Sequence, residues 1–351
     1  MILKQMRHFE KYTIKNSATV REALIALNNL SNDTLNLFVI NDVFFVEGSL
    51  TDGDIRRHLI KGITLDDNIT LVMNRDFHYL EEGNIDVSMI RKLKAIPINL
   101  LPILDKNRKL INIYNLKTHQ SFLPIDAILM AGGKGERLRP LTEKIPKPLL
   151  KVGDKAIIDY NIERLLSYGV RNISVTVNYL KEQIEKHFEQ ERNGIKISCI
   201  REPAFWGTMG AVKLVNRIYN DTCLVMNSDL FTNINYEDFF LHFKEHNADM
   251  SVAVVPYSIT VPYGIFDLEG RNIKGIKEKP TYNYYANAGI YLIKRNLLDL
   301  IPEETFFDAT DLIKLLIDKE YNVIRFPLTG YWIDIGKHED YKKAEDIVKH
   351  L

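Results

Sequence analysis

The sequence predicts an α/β protein built around a doubly wound sheet, preceded by a smaller region that mixes helices and strands. Three observations predict it. Helix-like and strand-like segments alternate along almost the whole chain, with no low-complexity tract between them. After Pro124 the alternation sharpens, and apolar strands and amphipathic helices follow one another in β-α-β-α-β order. A glycine-rich stretch then stands directly after the first of those strands, where a parallel sheet places its first loop. With 351 residues the chain exceeds one comfortable hydrophobic core and predicts about two domains.

In the first region, "TVREALIALNN" sets Val20, Leu24 and Leu27 on one helical face, followed by the strand-like "LNLFVIND" and "FFVEGSL" and then by "TDGDIRRHLIKG". A weaker copy of this plan follows: a helix-like "DVSMIRKL", a strand-like "INLLPILD", the turn "KNRK" and the apolar run "LINIY". Two related halves are therefore expected within residues 1–120. Polar residues and a proline in "LKTHQSFLP", Leu116 to Pro124, predict the boundary, with a second domain over residues 125–351. There "DAILMAGG" reads as a buried strand and "AIIDYNIERLLSYGV" as a helix. Ile158, Ile162, Leu165 and Leu166 share its apolar face, and Gly169 is its stop. "NISVTV", "LKEQIEKHFEQ" and "IKISCI" continue as strand, helix and strand. In such a sheet ligands belong at the carboxyl ends of the strands.

Composition narrows the function. Acidic and basic side chains balance at 46 each, which argues against nucleic acid or an anionic membrane as partner. Cys199 and Cys223 both sit in apolar stretches and predict buried thiols in a reducing, cytoplasmic setting, not a disulfide or zinc site. The amino-terminal "MILKQMRHFEKY" carries charges where a signal peptide needs an apolar segment, and no apolar run approaches the ~20 residues of a membrane span.

The loop "LMAGGKGERLRPLTEKIPKPLL", Leu129 to Leu150, carries the chemistry. Gly132, Gly133 and Gly135 let successive backbone N–H groups converge on an anion. No Gly-Lys-Ser/Thr ends it, so it is not a Walker A loop, and Leu138 stands where a dinucleotide fingerprint needs its third glycine. Arg137 and Arg139 follow the glycines, and Lys147 lies between Pro146 and Pro148, whose fixed φ holds it on a stiff segment. A pre-positioned cation suits a phosphoryl transition state.

These residues resemble the signature of the sugar-1-phosphate nucleotidylyltransferases, Gly-x-Gly-x-Arg-Leu-x-Pro-Leu-Thr followed by Pro-Lys-Pro, here "GKGERLRPLT" and "PKP". The likeness continues through "EPAFWGTMGA", "VMNSDLFTNI", "YGIFD", "KEKP", "NAGIYL" and "WIDIG". Molybdopterin-type cofactor transferases share the glycine-rich opening but lack the Pro-Leu-Thr and Pro-Lys-Pro. The resemblance implies the Rossmann-like fold of nucleotide-diphospho-sugar transferases, with a mixed, mainly parallel sheet. It assigns Gly132, Gly133, Lys134 and Gly135 to the nucleotide phosphates, Arg137 to the departing pyrophosphate and Lys147 to the α-phosphate. Asp229 and Asp334 would bind magnesium, a cation suited to one or two carboxylates completed by phosphate and water. Glu202 and the "GTMG" turn, including Gly207 and Thr208, would meet the base, and Gly264, Glu278, Lys279, Asn287 and Gly289 the sugar. The family often shows Thr after "WIDIG", where this chain has Lys337.

"VEGSLTDGDIRRHL" in turn resembles the CBS (cystathionine-β-synthase-type) domains, and the first third of the chain a tandem pair of them with an α+β fold. That resemblance implies regulation or homo-oligomeric assembly, with an adenosine nucleotide at Thr51 and Asp54. A Thr or Asp ahead of an apolar helical run is equally a helix cap. The second copy, "LINIYNLKTHQ", has no Asp at the corresponding place.

A sugar-1-phosphate, with its second pKa near ~6, needs no general base to attack, so no catalytic histidine is required. The partners implied are GTP, or another NTP, and a sugar-1-phosphate. Glu202 can accept from the N1–H and N2 amine of guanine, a donor pair that other bases do not offer together. The catalytic segments are more similar to mannose-1-phosphate guanylyltransferases than to thymidylyl- or uridylyltransferases. A CBS pair ahead of a short catalytic domain is similar to the glucosamine-1-phosphate guanylyltransferases of legionaminic acid biosynthesis, which puts glucosamine-1-phosphate ahead of mannose-1-phosphate as expected acceptor. UTP-, CTP- or dTTP-using transferases remain alternatives, and a nucleotide-sensing regulator without turnover is the alternative of another class.

Overall fold

The computed structural model describes residues 9–31, 33–83, 86–96 and 98–350, so most of the amino-terminal stretch read for a signal peptide lies outside the described residues. The chain divides between Phe122 and Leu123 into two compact units.

The first unit is two versions of one β-α-β-β motif. The first has β1 (Thr13–Lys15), α1 (Val20–Asn29), β2 (Asn36–Ile40), β3 (Val46–Thr51) and a further helix, α2 (Asp52–Ile60). The second has β4 (Leu80–Glu81), α3 (Val87–Lys94), β5 (Leu100–Leu104) and β6 (Leu110–Asn115). In each the first strand pairs parallel and the third antiparallel with the second. The hairpin turns match in detail. Asn41 Oδ1 accepts from Val43 and Phe45 N–H as Asp105 Oδ1 does from Asn107 and Lys109. Phe44 and Arg108 both take positive φ, at 64° and 57°, and the two turns meet at a bridge between Phe45 and Lys109. On α1 the buried residues are Val20, Ala23 and Leu27, with Leu24 only partly covered.

Thr51 and Asp54 form a reciprocal cap on α2. Thr51 Oγ1 accepts from Asp54 N–H at 3.2 Å, and the Asp54 carboxylate accepts from Thr51 N–H at 2.9 Å. In the second motif Asn115 stands where Thr51 does and Thr118 where Asp54 does, and Asn115 Oδ1 accepts from Lys117 N–H to start a turn, not a helix. The missing Asp and the missing helix are one difference.

The second unit is built on a seven-stranded mixed sheet, four of whose six pairings are parallel. Its elements run β7 (Asp126–Ala131), the small hairpin β8 (Lys151–Val152) and β9 (Lys155–Ala156), α4 (Ile157–Ser167), β10 (Asn172–Val177), α5 (Lys181–His187) and β11 (Ser198–Arg201). There follow α6 (Gly207–Gly210), β12 (Thr222–Asn227), β13 (Leu230–Thr232), α7 (Tyr236–Glu245), β14 (Met250–Thr260), β15 (Ile265–Glu269) and β16 (Asn272–Lys277). The unit closes with β17 (Thr281–Lys294), α8 (Ala309–Asp318), β18 (Val323–Pro327), β19 (Trp332–Asp334) and α9 (His338–Val348). The strand order is β11-β10-β7-β12-β17-β14-β18, with β17 alone reversed. After β7 the chain winds outward through β10 and β11, then returns to lay β12 on the other side of β7. The carboxyl ends of β7 and β12 therefore flank the switch point where such sheets hold ligands.

Both sheet faces are covered because the central strands β7 and β12 are buried at consecutive residues, so that side chains on either face are apolar. Ile128, Cys223, Val225, Tyr291 and Ile293 pack with Leu312 and Leu316 of α8. On the opposite face the Tyr236 hydroxyl of α7 lies 3.3 Å from Met226 Sδ. Two expectations are corrected. "IKISCI" is strand only from Ser198, and Cys199 is half-buried because β11 is an edge strand, whereas Cys223 in central β12 is buried. The "GTMG" segment is a helical turn, since α6 packs against the chain before α8, where a Cβ on Gly210 would lie 2.7 Å from the Thr305 carbonyl. Among the described residues no helix is long and apolar enough to cross a membrane.

The cap on α2 makes a first prediction. Thr51→Ala should destabilise α2 by about 1 kcal/mol and Thr51→Ser by much less, read as faster hydrogen exchange of the α2 amides in the alanine variant alone.

Candidate functional site

A cavity of about 610 Å³ opens at the switch point. Its floor is the loop after β7. Gly132 is buried against Glu202, and a Cβ there would collide with Glu202 Oε1. Gly135 has φ 62°, and a Cβ on it would lie 3.0 Å from Thr142 Cγ2 and 3.1 Å from Lys147 Cβ. Thr142 Oγ1 donates to the Gly135 carbonyl at 2.8 Å, tying the loop to the Pro-Leu-Thr segment. Gly133 and Lys134 are exposed at the mouth, and a Cβ on Gly133 would meet nothing within 4 Å.

Lys147 begins a 3-10 turn, Lys147–Leu149, entered from extended Pro146, and is only 8% exposed. Its ammonium donates to Asp229 Oδ2 and lies 3.8 Å from Asp334 Oδ1. Those carboxylates come from neighbouring chain segments. Asp229 sits in the turn between β12 and β13, Asp334 ends β19, and β13 pairs antiparallel with β19 so that Leu230 faces Asp334. The turn is pinned from beneath: Asn161 Nδ2 of α4 donates to the Leu230 carbonyl at 2.8 Å, and Ser228 Oγ to the Met130 carbonyl at 2.7 Å. Arg137 lies alongside, its guanidinium 3.2 Å from where a Cβ on Gly336 would stand. Burial, then the neighbouring Asp229 carboxylate, holds the Asp334 carboxyl above its ordinary range, despite the opposing pull of Lys147 and Arg137. Asp229 Oδ1 is buried with no hydrogen-bond partner.

The inner wall carries a second buried acid. Glu202, following β11, is 3% exposed, and burial raises its carboxyl above the ordinary range. The Thr176 hydroxyl of β10 and the Trp206 N–H pair with the carboxylate and oppose that rise only in part, and Glu202 and Thr176 both line the cavity. Gly207 and Thr208 also line the cavity, but the Thr208 hydroxyl is engaged with α8, donating to Asp308 Oδ1 at 3.1 Å and accepting from Ala309 N–H at 2.8 Å.

The structure thus brings together Gly132, Gly133, Lys134, Gly135, Arg137, Lys147, Glu202, Gly207, Thr208 and Asp229 around one cavity, with Asp334 joined through Lys147. The five residues expected at a sugar are not in its wall. Gly289 approaches most closely, where a Cβ would lie 2.6 Å from Asn227 Nδ2, a cavity residue. Asn287 accepts from Gly289 N–H at 2.9 Å and donates to the Tyr291 hydroxyl at 2.8 Å. Glu278 and Lys279 are exposed between β16 and β17, with Glu278 beside Gly264. Thr176, Asn178, Asn227 and Ser228 line the cavity and were not singled out in the sequence. The available signal was a polar residue at the carboxyl end of an apolar strand.

A glycine loop, a buried lysine and two carboxylates thus meet at the switch point of a mixed α/β sheet, where such sheets hold ligands. The sequence model of the Nucleotidyl transferase family matches residues 126–350, and the chain belongs to that family. Among its relatives are the mannose-1-phosphate guanyltransferase of Schizosaccharomyces pombe, 32% identical over 228 residues, and the mannose-1-phosphate guanylyltransferase catalytic subunit beta of Danio rerio, 30% identical over 224. Each alignment covers 61% of this chain and 62% of the relative's length. Of solved structures, HddC from Yersinia pseudotuberculosis is 26% identical, with a TM-score of 0.51 over 64% of this chain and 99% of its own. The same protein complexed with GMP-PN gives 0.52 at 24% identity.

The Glu202 environment predicts a pH signature. Because its folded carboxyl is raised, burying the charged form destabilises the protein above the ordinary carboxylate range, and that destabilisation disappears as the pH falls and Glu202 is protonated. Glu202→Gln should raise the melting temperature of the unliganded protein at neutral pH, with the gain shrinking toward pH ~4. A gain that does not change with pH would contradict this.

Proposed function

We propose that the chain is a sugar-1-phosphate guanylyltransferase, joining GMP from GTP to a hexose- or hexosamine-1-phosphate and releasing pyrophosphate. The observation that carries this is the Lys147, Asp229 and Asp334 cluster beside the glycine loop. It offers a phosphate cradle and a pre-positioned cation, with a pair of hard oxygen donors alongside.

The donor set suits a magnesium ion: two carboxylates, one with a buried oxygen that lacks a partner, leave the remaining positions to phosphate and water. Among the described residues no cluster of three or more His, Cys, Asp or Glu side chains supplies an all-protein cage. When bound there, Mg²⁺ would neutralise phosphate charge and hold the reacting groups together. The chain's own residues do the rest. Backbone N–H groups of Gly132 to Gly135 hold the triphosphate, Lys147 steadies the α-phosphate, and Arg137 takes the charge developing on pyrophosphate. The acceptor is already anionic, so attack on the α-phosphorus requires alignment and charge neutralisation, and no residue need remove a proton. Gly264, Glu278, Lys279, Asn287 and Gly289 are proposed to complete the sugar side when the acceptor enters.

Glu202 and Thr176 support a base site. The Glu202 carboxylate is an acceptor buried in the cavity wall, and guanine presents two adjacent donors. The guanylyltransferase relatives support the same nucleotide, and their acceptor, mannose-1-phosphate, becomes the first to test, ahead of the glucosamine-1-phosphate expected from the CBS resemblance. The N-terminal unit is proposed to regulate or assemble the enzyme as a CBS pair, and its duplicated β-α-β-β plan supports that. Thr51 and Asp54 already satisfy one another in the α2 cap, so an adenosine nucleotide there would have to share them.

Two experiments test this. Lys147→Ala and Asp229→Ala should each lower kcat by about 10²–10³ or more, with far-UV circular dichroism unchanged. Near-normal turnover in either would overturn the assignment. A matrix of four NTPs against several sugar-1-phosphates, read as pyrophosphate, should show GTP preferred, and Glu202→Gln should reduce kcat/KM for GTP by roughly 10–100-fold with smaller effects on pyrimidine nucleotides. Nucleotide binding without pyrophosphate release from any pair would mark a sensor instead.

A further inference from the structure

Of the described residues that line the cavity, Phe205 is the one aromatic side chain, and it is 57% exposed. A lone apolar side chain on a surface needs no explanation. This one is held in place. Its ring lies 5.9 Å from that of Phe306 and is inclined to it at 52°, within the range of an attractive aromatic pair. Phe306 is not part of the cavity wall, so the pairing braces Phe205 and leaves it open to the cavity.

The backbone sets the pair. Phe307 N–H donates to the Trp206 carbonyl, and the Met209 and Gly210 N–H groups to the Phe307 carbonyl, each at 2.9 Å. Gly207, at φ 74°, permits that approach, since a Cβ there would lie 3.0 Å from the Phe307 carbonyl oxygen. The segments that carry the two rings are therefore locked side by side before any ligand arrives. The same lock fixes Phe205 relative to Glu202. Trp206 N–H, next along the chain, pairs with the Glu202 carboxylate, and that carboxylate also abuts Gly132 of the phosphate loop.

One short stretch thus presents a hydrogen-bond acceptor and an aromatic ring to one cavity. A nucleobase is held through these two features, by its edge and by its π-face, whereas a phosphate or a metal ion gains nothing from a phenylalanine. Stacking is indifferent to the groups on the edge, because every base has a π-face, and it grows with ring area, so a purine gains more than a pyrimidine. We infer that Phe205, braced by Phe306, is the stacking platform for a purine base, and that it sets a preference for purine over pyrimidine nucleotides separate from the reading of guanine by Glu202. The inference rests on the nucleotide chemistry proposed above and adds a specificity residue to it.

Isothermal titration calorimetry of the full chain with Mg²⁺ and GTP, without sugar phosphate, tests it, with ATP and UTP read by competition against GTP. Phe205→Ala should raise Kd for GTP and ATP by a similar factor, roughly 10-fold or more, and should narrow the ratio of GTP to UTP affinity. Phe205→Tyr should restore the wild-type Kd, and Phe205→Leu, which keeps apolar bulk without a π-face, should not. Circular dichroism should be unchanged in all three, since the ring is exposed. A GTP affinity within about two-fold of wild type in the alanine variant, equal recovery by leucine and tyrosine, or an unchanged ratio of GTP to UTP affinity overturns the inference. Those results leave the transferase reading standing, because pyrophosphate release decides that separately. Purine binding that depends on Phe205, with no pyrophosphate released from any pair, would remove the transferase reading and keep this one. A wild type that binds no nucleotide overturns both.

Discussion

One buried cation holds the site together. Lys147 stands between Asp229 and Asp334, which arrive from β12 and β19, more than a hundred residues apart in sequence. Without it two carboxylates would share a partly buried space, and like charges at that range repel strongly in a low-dielectric setting. With it, three chain segments are drawn to one point beside the glycine loop. The flanking prolines matter for the same reason: Lys147 reaches the carboxylates from a backbone that does not have to be ordered first. Even so, burial and then the Asp229 carboxylate keep the Asp334 carboxyl raised, so the two cations, Lys147 and Arg137, offset the crowding only in part.

The same logic extends inward. Asp229 leaves a buried carboxylate oxygen unpaired, against the general rule for folded proteins, and Glu202 buries a carboxylate that the Thr176 hydroxyl and the Trp206 N–H ease only in part. Such groups lower stability, and the apolar core on both sheet faces, from Ile128 and Val225 to Leu312 and Leu316, offsets them. Gly132 sets the limit of this arrangement. Any side chain there would strike Glu202, so the loop can approach the acceptor oxygens only because that position has no Cβ.

Local order in the sequence made β7, α4, β10 and α5 legible, because β7 is a short continuous apolar run and the others carry helical or alternating patterns. The reversal of β17 was not legible, since strand direction depends on where the chain returns. "GTMG" reads locally as a turn, yet its helical form is set by Phe307 and Asp308, about 100 residues later. Arg137, Lys147, Asp229 and Asp334 were legible through motif order, and they do converge. Thr176 was not, because in an alternating strand a threonine looks like any other residue until the cavity at its end is known. The five sugar-side residues show the converse. Motif order singled them out, but Gly264, Glu278 and Lys279 lie at the ends of the projecting strands, where sequence says nothing about reach into the cavity.

That placement has a mechanical side. Beyond Val255, β14 and β17 leave the sheet as a two-stranded ribbon, Pro256–Thr260 running against Thr281–Tyr285, and the connections at its end carry Gly264, Glu278 and Lys279. A two-stranded ribbon is marginal when isolated, and here the Arg325 guanidinium braces its base, 4.2 Å from the centre of the Tyr285 ring. The Lys147 cluster is anchored independently, by Asn161 and Ser228. On the proposed reading that these connections meet the acceptor, loosening the ribbon, as in Arg325→Ala, should raise KM for the sugar phosphate and spare the nucleotide.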